Sequence, residues 1–426
     1  MMLRDVLISQ KREWARRLSE HYIERNVGPG FTRSDDLIRV VVGPRRAGKS
    51  FFALHALGRE GGCGYANFDD ERLLGLSDYD DLLNAIDNVY GNPDTILLDE
   101  IQNLERWELF VNRLQRQGRR ILVTGSNSNL LSTELATHLT GRHVLIPLLP
   151  FSFAEFLHMA PDILTESERK SCLASYVREG GFPEPLLKSV DRDEYLRTMA
   201  NAILYKDIVK RHRIRAIQGL EDLARYLFSN VAKEYSFQAL ARVTRCRSVN
   251  TAEKYMRHLE EAFLFFSIRR FSFKVRQQAA YNKKVYCVDN GLALAMGFRF
   301  SEDRGRLYEN LVAIALWKQM LKHDVEVFFW KNVQNEEVDF VVKDGLKVKT
   351  LIQVCQHMDD PKTLDRETRA LLKAGQELKC NQLLVLTEDR EATERIEWFG
   401  TAGEIQFLPL WKWLEQQEQQ AEVVIP

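Results

Sequence analysis

What the chain lacks narrows the field first. No stretch stays apolar for the ~20 residues that cross a bilayer. The N-terminus from Leu3 to Arg25 alternates charged and apolar residues, where a signal peptide would carry an unbroken apolar core. The six cysteines, at 63, 172, 246, 287, 355 and 380, show neither metal-ligand spacing nor a disulfide framework. The expected compartment is therefore a reducing cytoplasm, with no membrane association. Net charge is absent as well: 60 Lys and Arg balance 60 Asp and Glu. That excludes a whole-molecule pull on nucleic acid or lipid and leaves any basic surface local. Neither internal repeats nor low-complexity segments are found. What remains is 426 residues, 45% hydrophobic and 28% charged, enough for two or three domains with real cores.

Residues 1–27 read as a basic amphipathic leading helix. From 37 to 150, short apolar runs alternate with helical stretches. The runs are Leu37–Val42, Tyr65–Phe68, Ile96–Asp99, Ile121–Thr124 and Val144–Pro147. Strands alternating with helices predict a parallel sheet in an α/β domain. Residues 151–230 read as helical, 231–290 as a small helix-turn-helix with a β-hairpin, and 300–410 as α/β again. The expected domains are 1–150, a helical lid-like region 151–230, a winged-helix-like region 231–295, and 296–426.

The first strand runs into G-P-R-R-A-G-K-S and then an apolar helix. Strand, glycine-rich loop and helix in that order form a P-loop. Gly43, Pro44, Arg45, Arg46, Ala47, Gly48, Lys49, Ser50 and Phe51 are thus the expected ATP-binding segment. Backbone amides freed by Gly43 and Gly48 wrap phosphate oxygens at a helix N-terminus. Lys49 would reach the β- and γ-phosphates, and the Ser50 hydroxyl would ligate Mg2+. Fifty residues on, T-I-L-L-D-E is an apolar strand ending in adjacent acids. Asp99 would hold Mg2+ through its hydration shell, and Glu100 would polarise the attacking water. A further strand ends in Ser126 and Asn127, which could orient that water.

These residues carry a family likeness. The chain resembles the predicted bacterial and archaeal ATPases of the AAA+ superfamily that join an N-terminal ATPase domain to a C-terminal restriction-endonuclease-like domain. The likeness rests on G-P-R-R-A-G-K-S, L-L-D-E-I-Q, V-T-G-S-N-S, L-T-G-R, P-F-S-F-A-E-F-L, G-G-F-P-E, Y-K-D-I-V-K-R and E-V-D-F-V-V, in that order along nearly the whole chain. It implies a P-loop AAA+ parallel-sheet domain, a helical and winged-helix middle, and a C-terminal α/β restriction-endonuclease-like domain. It also implies that Ser126 and Asn127 occupy the sensor-1 position. Arg142, just before the last strand of the ATPase domain, is then an arginine-finger candidate that reaches a neighbouring subunit's nucleotide. Acting in trans, it requires a homo-oligomer.

In the middle, Ser236 can cap a helix over 237–243 and Ser248 a second over 249–263. Val249, Ala252, Met256, Leu259 and Phe263 fall on one face of the second, while Asn250, Lys254 and Arg257 project from the other. Strands are expected over 266–270 and 284–288, with Lys274 and Arg276 on the loop between them. From Lys206 to Lys284 there are 18 basic residues against 7 acidic, whereas the rest of the chain carries 42 against 53. A basic middle in a neutral chain is what phosphate contact needs, and DNA is the expected partner.

In the last segment Glu309 on a helix and Asp339 on a strand fit the metal-gripping acids of a restriction-endonuclease-like site. Gln353 stands where that pattern has an acid and Cys355 where it has a lysine. Lys349 and Lys343 lie too far along their strands to substitute. The reading that follows is a Mg2+-dependent ATPase acting on DNA. The alternatives are a nucleotide-switch ATPase holding a protein partner, and an ATP-dependent nuclease using the degenerate acids.

Overall fold

A computed structural model describes residues 3–27, 36–58, 62–126, 139, 141–161, 163–244, 248–298, 304–322, 325–358 and 360–423. The chain forms two compact units. The first runs to Pro150 and takes in Glu261–Phe263; the second begins at Phe151.

In the first unit five parallel strands lie in the order β2-β3-β4-β1-β5. They are β1 (Ile38–Val42), β2 (Cys63–Asn67), β3 (Thr95–Asp99), β4 (Arg120–Gly125) and β5 (His143–Pro147), each within two residues of the expected run. Every residue of β1 and β3 is buried, which requires cover on both faces and accounts for their largely apolar make-up. Because the strands are parallel, their C-terminal ends share one edge, and the loops leaving β1, β3 and β4 converge there. The leading helix is shorter than expected. It spans Leu3–Arg17, buries Val6, Leu7, Gln10 and Trp14, and stops where Ser19 Oγ donates to the Arg16 carbonyl. Residues 21–27 are irregular.

The second unit starts with helices, including Glu166–Glu179, Arg192–Ala202 and Ile217–Ser229. A nine-stranded mixed sheet follows. Its strands are β6 (Lys233–Tyr235), β7 (Phe265–Arg270), β8 (Lys283–Cys287), β9 (Glu326–Lys331), β10 (Glu337–Asp344), β11 (Lys347–Val354), β12 (Leu383–Thr387), β13 (Ala392–Trp398) and β14 (Thr401–Pro409). They lie in the order β13-β14-β12-β11-β10-β9-β7-β8-β6.

Three expectations for the middle need correction. The hairpin β7–β8 does not stand apart: β7 pairs in parallel with β9 through Arg269–Phe328, so segments 231–295 and 296–426 share one sheet. Phe265, Phe266 and Ile268 are all buried, and Phe266 stacks on Trp317 at 4.2 Å, so β7 is covered on both faces. The connection between β7 and β8 is no open loop but carries a helix, Val275–Ala280, with Lys274 at its N-cap and Arg276 within it. The helices Phe237–Val243 and Val249–Glu261 form as expected, with Ser236 Oγ accepting from Ala239 N at 3.2 Å and Ser248 Oγ from Thr251 N at 3.2 Å. Val249, expected on the buried face, is 40% exposed at the helix start.

The motif G-G-F-P-E gains a physical meaning. Asp289, 3% exposed, accepts from Gly181 N at 2.6 Å and from Leu292 N at 2.7 Å, capping the helix Asn290–Met296. Gly181 O accepts from Phe151 N at 2.7 Å. A Cβ on Gly181 would lie 2.1 Å from Phe151 O, and one on Gly180, whose φ is +77°, would lie 2.3 Å from Asp289 Oδ1. Only glycine lets these three chain segments approach so closely.

Candidate nucleotide site

The P-loop links β1 to the helix Lys49–Gly58. Its backbone turns through left-handed conformations at Arg46 (φ +67°) and Gly48 (φ +91°), a geometry that aims successive amides inward. Gly43 is required by space: a Cβ there would sit 1.9 Å from Leu148 O. The loop is held from outside by Arg25, 9% exposed, whose guanidinium donates to Ala47 O at 2.8 Å and to Leu149 O at 2.6 Å. Ala47 is fully buried beside Lys49, and Phe51 packs against Tyr22 and His55.

At the end of β3, Asp99 is 1% exposed. Its Oδ1 accepts from Ser50 Oγ at 2.8 Å and from Thr124 Oγ1, and its Oδ2 accepts from Tyr65 OH at 3.2 Å. All three partners are neutral hydroxyls. Burial, with Glu100 adjacent, raises its pKa despite these bonds. Such a carboxylate, bonded only by hydroxyls and 2.8 Å from the P-loop serine, fits a site built to receive a divalent cation.

Glu100 has the opposite balance. Burial pushes its pKa up, but Lys49 (4.0 Å away), a 2.5 Å hydrogen bond from Gln102, Arg45 and a 3.1 Å bond from Ser126 together bring it below the usual carboxylate range. It is therefore held in its ionised form. Its backbone is left-handed (φ +52°), and Glu100 N donates to Thr124 Oγ1 at 3.1 Å, which fixes where the side chain emerges. Lys49, 4% exposed, donates to Pro44 O at 2.9 Å.

Of the residues expected from the sequence, Lys49, Ser50, Asp99, Glu100 and Ser126 come together at this edge. Asn127 lies outside the described residues. Arg142 is exposed and immediately precedes β5, at the N-terminal edge of the sheet, while the P-loop leaves the C-terminal edge of β1. The five-residue strand between the two edges spans ~16 Å, so Arg142 does not join the site of its own chain. Tyr65, Thr124, Gln102 and Arg25 were not singled out from the sequence. Thr124 and Gln102 lie inside quoted motifs, whereas nothing local marks Tyr65 or Arg25.

Elsewhere, Asn250, Lys254 and Arg257 are exposed on the helix Val249–Glu261, and Lys274 and Arg276 are exposed next to Phe273 and Val275, themselves 74% and 79% exposed. Part of the basic excess is internal, since Lys284 is 3% exposed. In the second unit Glu309, Asp339 and Gln353 do converge. Cys355 Sγ donates to His357 O at 3.2 Å. The lysine that meets these acids is neither Lys343 nor Lys349 but Lys284, from β8.

A parallel sheet with a P-loop after its first strand, an Asp-Glu pair after its third and a polar residue after its fourth defines a P-loop ATPase domain. Residues 35–157 match the family described as AAA domain, and two domains of unknown function, DUF8612 and DUF4143, match 171–303 and 304–411. The chain is 31% identical over 395 residues to protein MJ1544 of Methanocaldococcus jannaschii, covering 88% of each chain. It is also 31% identical over 329 residues to a Haemophilus influenzae protein, covering 73% of this chain and 80% of that one. Among solved structures it is similar to the Walker-type ATPase PABY2304 of Pyrococcus abyssi, with 15% identity, a TM-score of 0.39, and coverage of 67% of this chain and 95% of that one. The chain belongs to the AAA+ P-loop ATPase family represented by MJ1544.

Proposed function

We propose that this protein binds ATP with Mg2+, hydrolyses it, and couples the cycle to DNA. The observation that carries the ATPase reading is Asp99, a buried carboxylate bonded by three hydroxyls, beside a Glu100 held ionised by Lys49. Ser50 and Asp99 would hold Mg2+, which when bound draws charge from the phosphates. The P-loop amides and Lys49 would grip the phosphate chain. Glu100 would orient water and accept its proton, with Ser126 and Gln102 fixing the carboxylate. Arg142, remote from its own site, is suited to complete the site of a second copy.

DNA coupling rests on the exposed basic side chains of the second unit. Asn250, Lys254 and Arg257 share one helix, and Lys274 and Arg276 follow exposed Phe273, a pairing of cation and aromatic surface suited to phosphates and bases. The test is duplex binding over a salt titration. Binding should weaken steeply with salt and be lost in Lys254→Glu/Arg257→Glu, a change of two phosphate contacts. Wild-type protein that binds no duplex at low salt would replace the DNA reading with that of a protein-partner switch.

A further inference from the structure

The second unit contains a polar cluster that the ATPase cycle does not use. Glu309 from the helix Arg304–Leu321, Asp339 from β10, Gln353 from β11 and Glu367 from the helix Pro361–Leu378 are each no more than 9% exposed. Acids brought together from two helices and a strand are an arrangement that suits a divalent cation. The bonding within the cluster says otherwise.

Lys284 reaches in from β8. Its Nζ lies 2.8 Å from Glu309 Oε1, 3.0 Å from Asp339 Oδ1 and 2.5 Å from Glu337 Oε1. The ammonium donates to Glu309 and Asp339, and Glu337, two residues before Asp339 on β10, pairs with the same charge. Two further donors bind the same carboxylates. Tyr286 OH donates to Glu309 Oε1 at 2.8 Å, and Val354 N donates to Asp339 Oδ2 at 3.0 Å. Gln353 is used at both ends: its Oε1 accepts from Asp339 N at 3.2 Å, and its Nε2 donates to Glu367 Oε2 at 2.6 Å. Glu367 Oε1 accepts from Arg366 Nε at 3.0 Å. A cation bridging Glu309 and Asp339 would have to lie against the ammonium, in surroundings with little water to screen the repulsion.

We propose that Lys284 is the resident cation of this cluster and takes the place of a divalent metal, so that the acids form a closed ion-pair site which opens to a metal only when the ammonium is removed. This is independent of the ATPase reading. It accounts for Gln353 and Cys355 standing where a metal-dependent nuclease would need an acid and a lysine. With one ammonium from β8 already shared among three carboxylates, a further acid at 353 would be left unpaired, and the lysine that faces these acids comes from β8 rather than from position 355. Leaving the acids with no cation would be costly, because a buried unpaired carboxylate is far less favourable than a paired one.

The test is Mn2+ binding by nucleotide-free full-length protein, read from the loss of the free-ion EPR signal. Four chains are compared: wild type, Asp339→Asn, Lys284→Met, and Lys284→Met/Asp339→Asn. Wild type and Asp339→Asn should bind the same number of ions. Lys284→Met should bind one more, and the double variant should lose it again. A Lys284→Met chain that acquires its native circular dichroism only when Mn2+ is present also supports the proposal. A wild type that loses one Mn2+ on Asp339→Asn would overturn it, since the acids would then hold a metal beside the ammonium. So would a folded Lys284→Met that binds no more Mn2+ than wild type. Should Lys284→Met not fold at all, the first pair still decides.

Discussion

Replacing Asp289 with asparagine should remove the pH dependence that this one carboxylate imposes on the second unit. Burial raises its pKa from the ordinary 3.8 to about 6, against the pull of the Gly181, Leu292 and Gly291 amides and of Arg192. The native state therefore keeps its proton over a range where the unfolded chain has already released it. The stability this contributes is complete below about pH 4, falls as the pH rises through about 6, and is absent at neutrality. A gap of roughly two pKa units, at about 1.4 kcal/mol per unit, makes the swing about 3 kcal/mol. Asparagine cannot ionise and can accept from only one of the two amides now held by the carboxylate, so it loses one bond worth about 1–3 kcal/mol at every pH. Urea unfolding of the two chains at pH 4.5 and pH 7.5 gives the comparison. The variant should be the less stable chain at pH 4.5, and the difference should shift in its favour by about 2–3 kcal/mol at pH 7.5. An equal difference at both pH values would refute the assignment of a raised pKa to Asp289.

Two further outcomes follow from the nucleotide site. Arg25→Met removes the donor to Ala47 O and Leu149 O, and the loosened loop should bind ATP about tenfold more weakly, a loss of ~1.4 kcal/mol measurable by titration with a fluorescent nucleotide. Unchanged affinity would reduce Arg25 to a tether for residues 21–27. Arg142→Ala should leave nucleotide affinity intact and lower turnover by roughly 10³-fold. Mixing it with Glu100→Gln should restore some activity if the arginine works across copies, and no rescue at any mixing ratio would count against action in trans.

Legibility from the sequence followed the range of the interactions. The P-loop and the β3 acids were readable because local backbone needs and local chemistry coincide: a glycine where Leu148 O approaches, a serine one residue after the lysine, acids at the end of a buried strand. Strand positions in the first unit were equally plain, since short, mostly apolar runs alternating with longer helical stretches are what strands buried on both faces require. What escaped came from pairings distant in sequence. Lys284 meets acids 25 and 55 residues away, and no periodicity in its own strand points to them. Tyr65 and Arg25 join the nucleotide site through tertiary packing alone. The β7–β8 hairpin was readable as strands, but its pairing with β9 was not, because a strand's neighbours are set by the sheet. The glycines of G-G-F-P-E could be seen, but their reason, the close approach of Phe151 and Asp289, could not.

The most direct test of the ATPase assignment is steady-state ATP hydrolysis by wild type and Glu100→Gln, each with and without duplex DNA, alongside ATP binding by both. Both chains should bind ATP, Glu100→Gln should hydrolyse it about 10²–10⁴-fold more slowly, and DNA should raise the wild-type rate alone. A Glu100→Gln chain that hydrolyses ATP at the wild-type rate would contradict the assignment of Glu100 as the group that activates water.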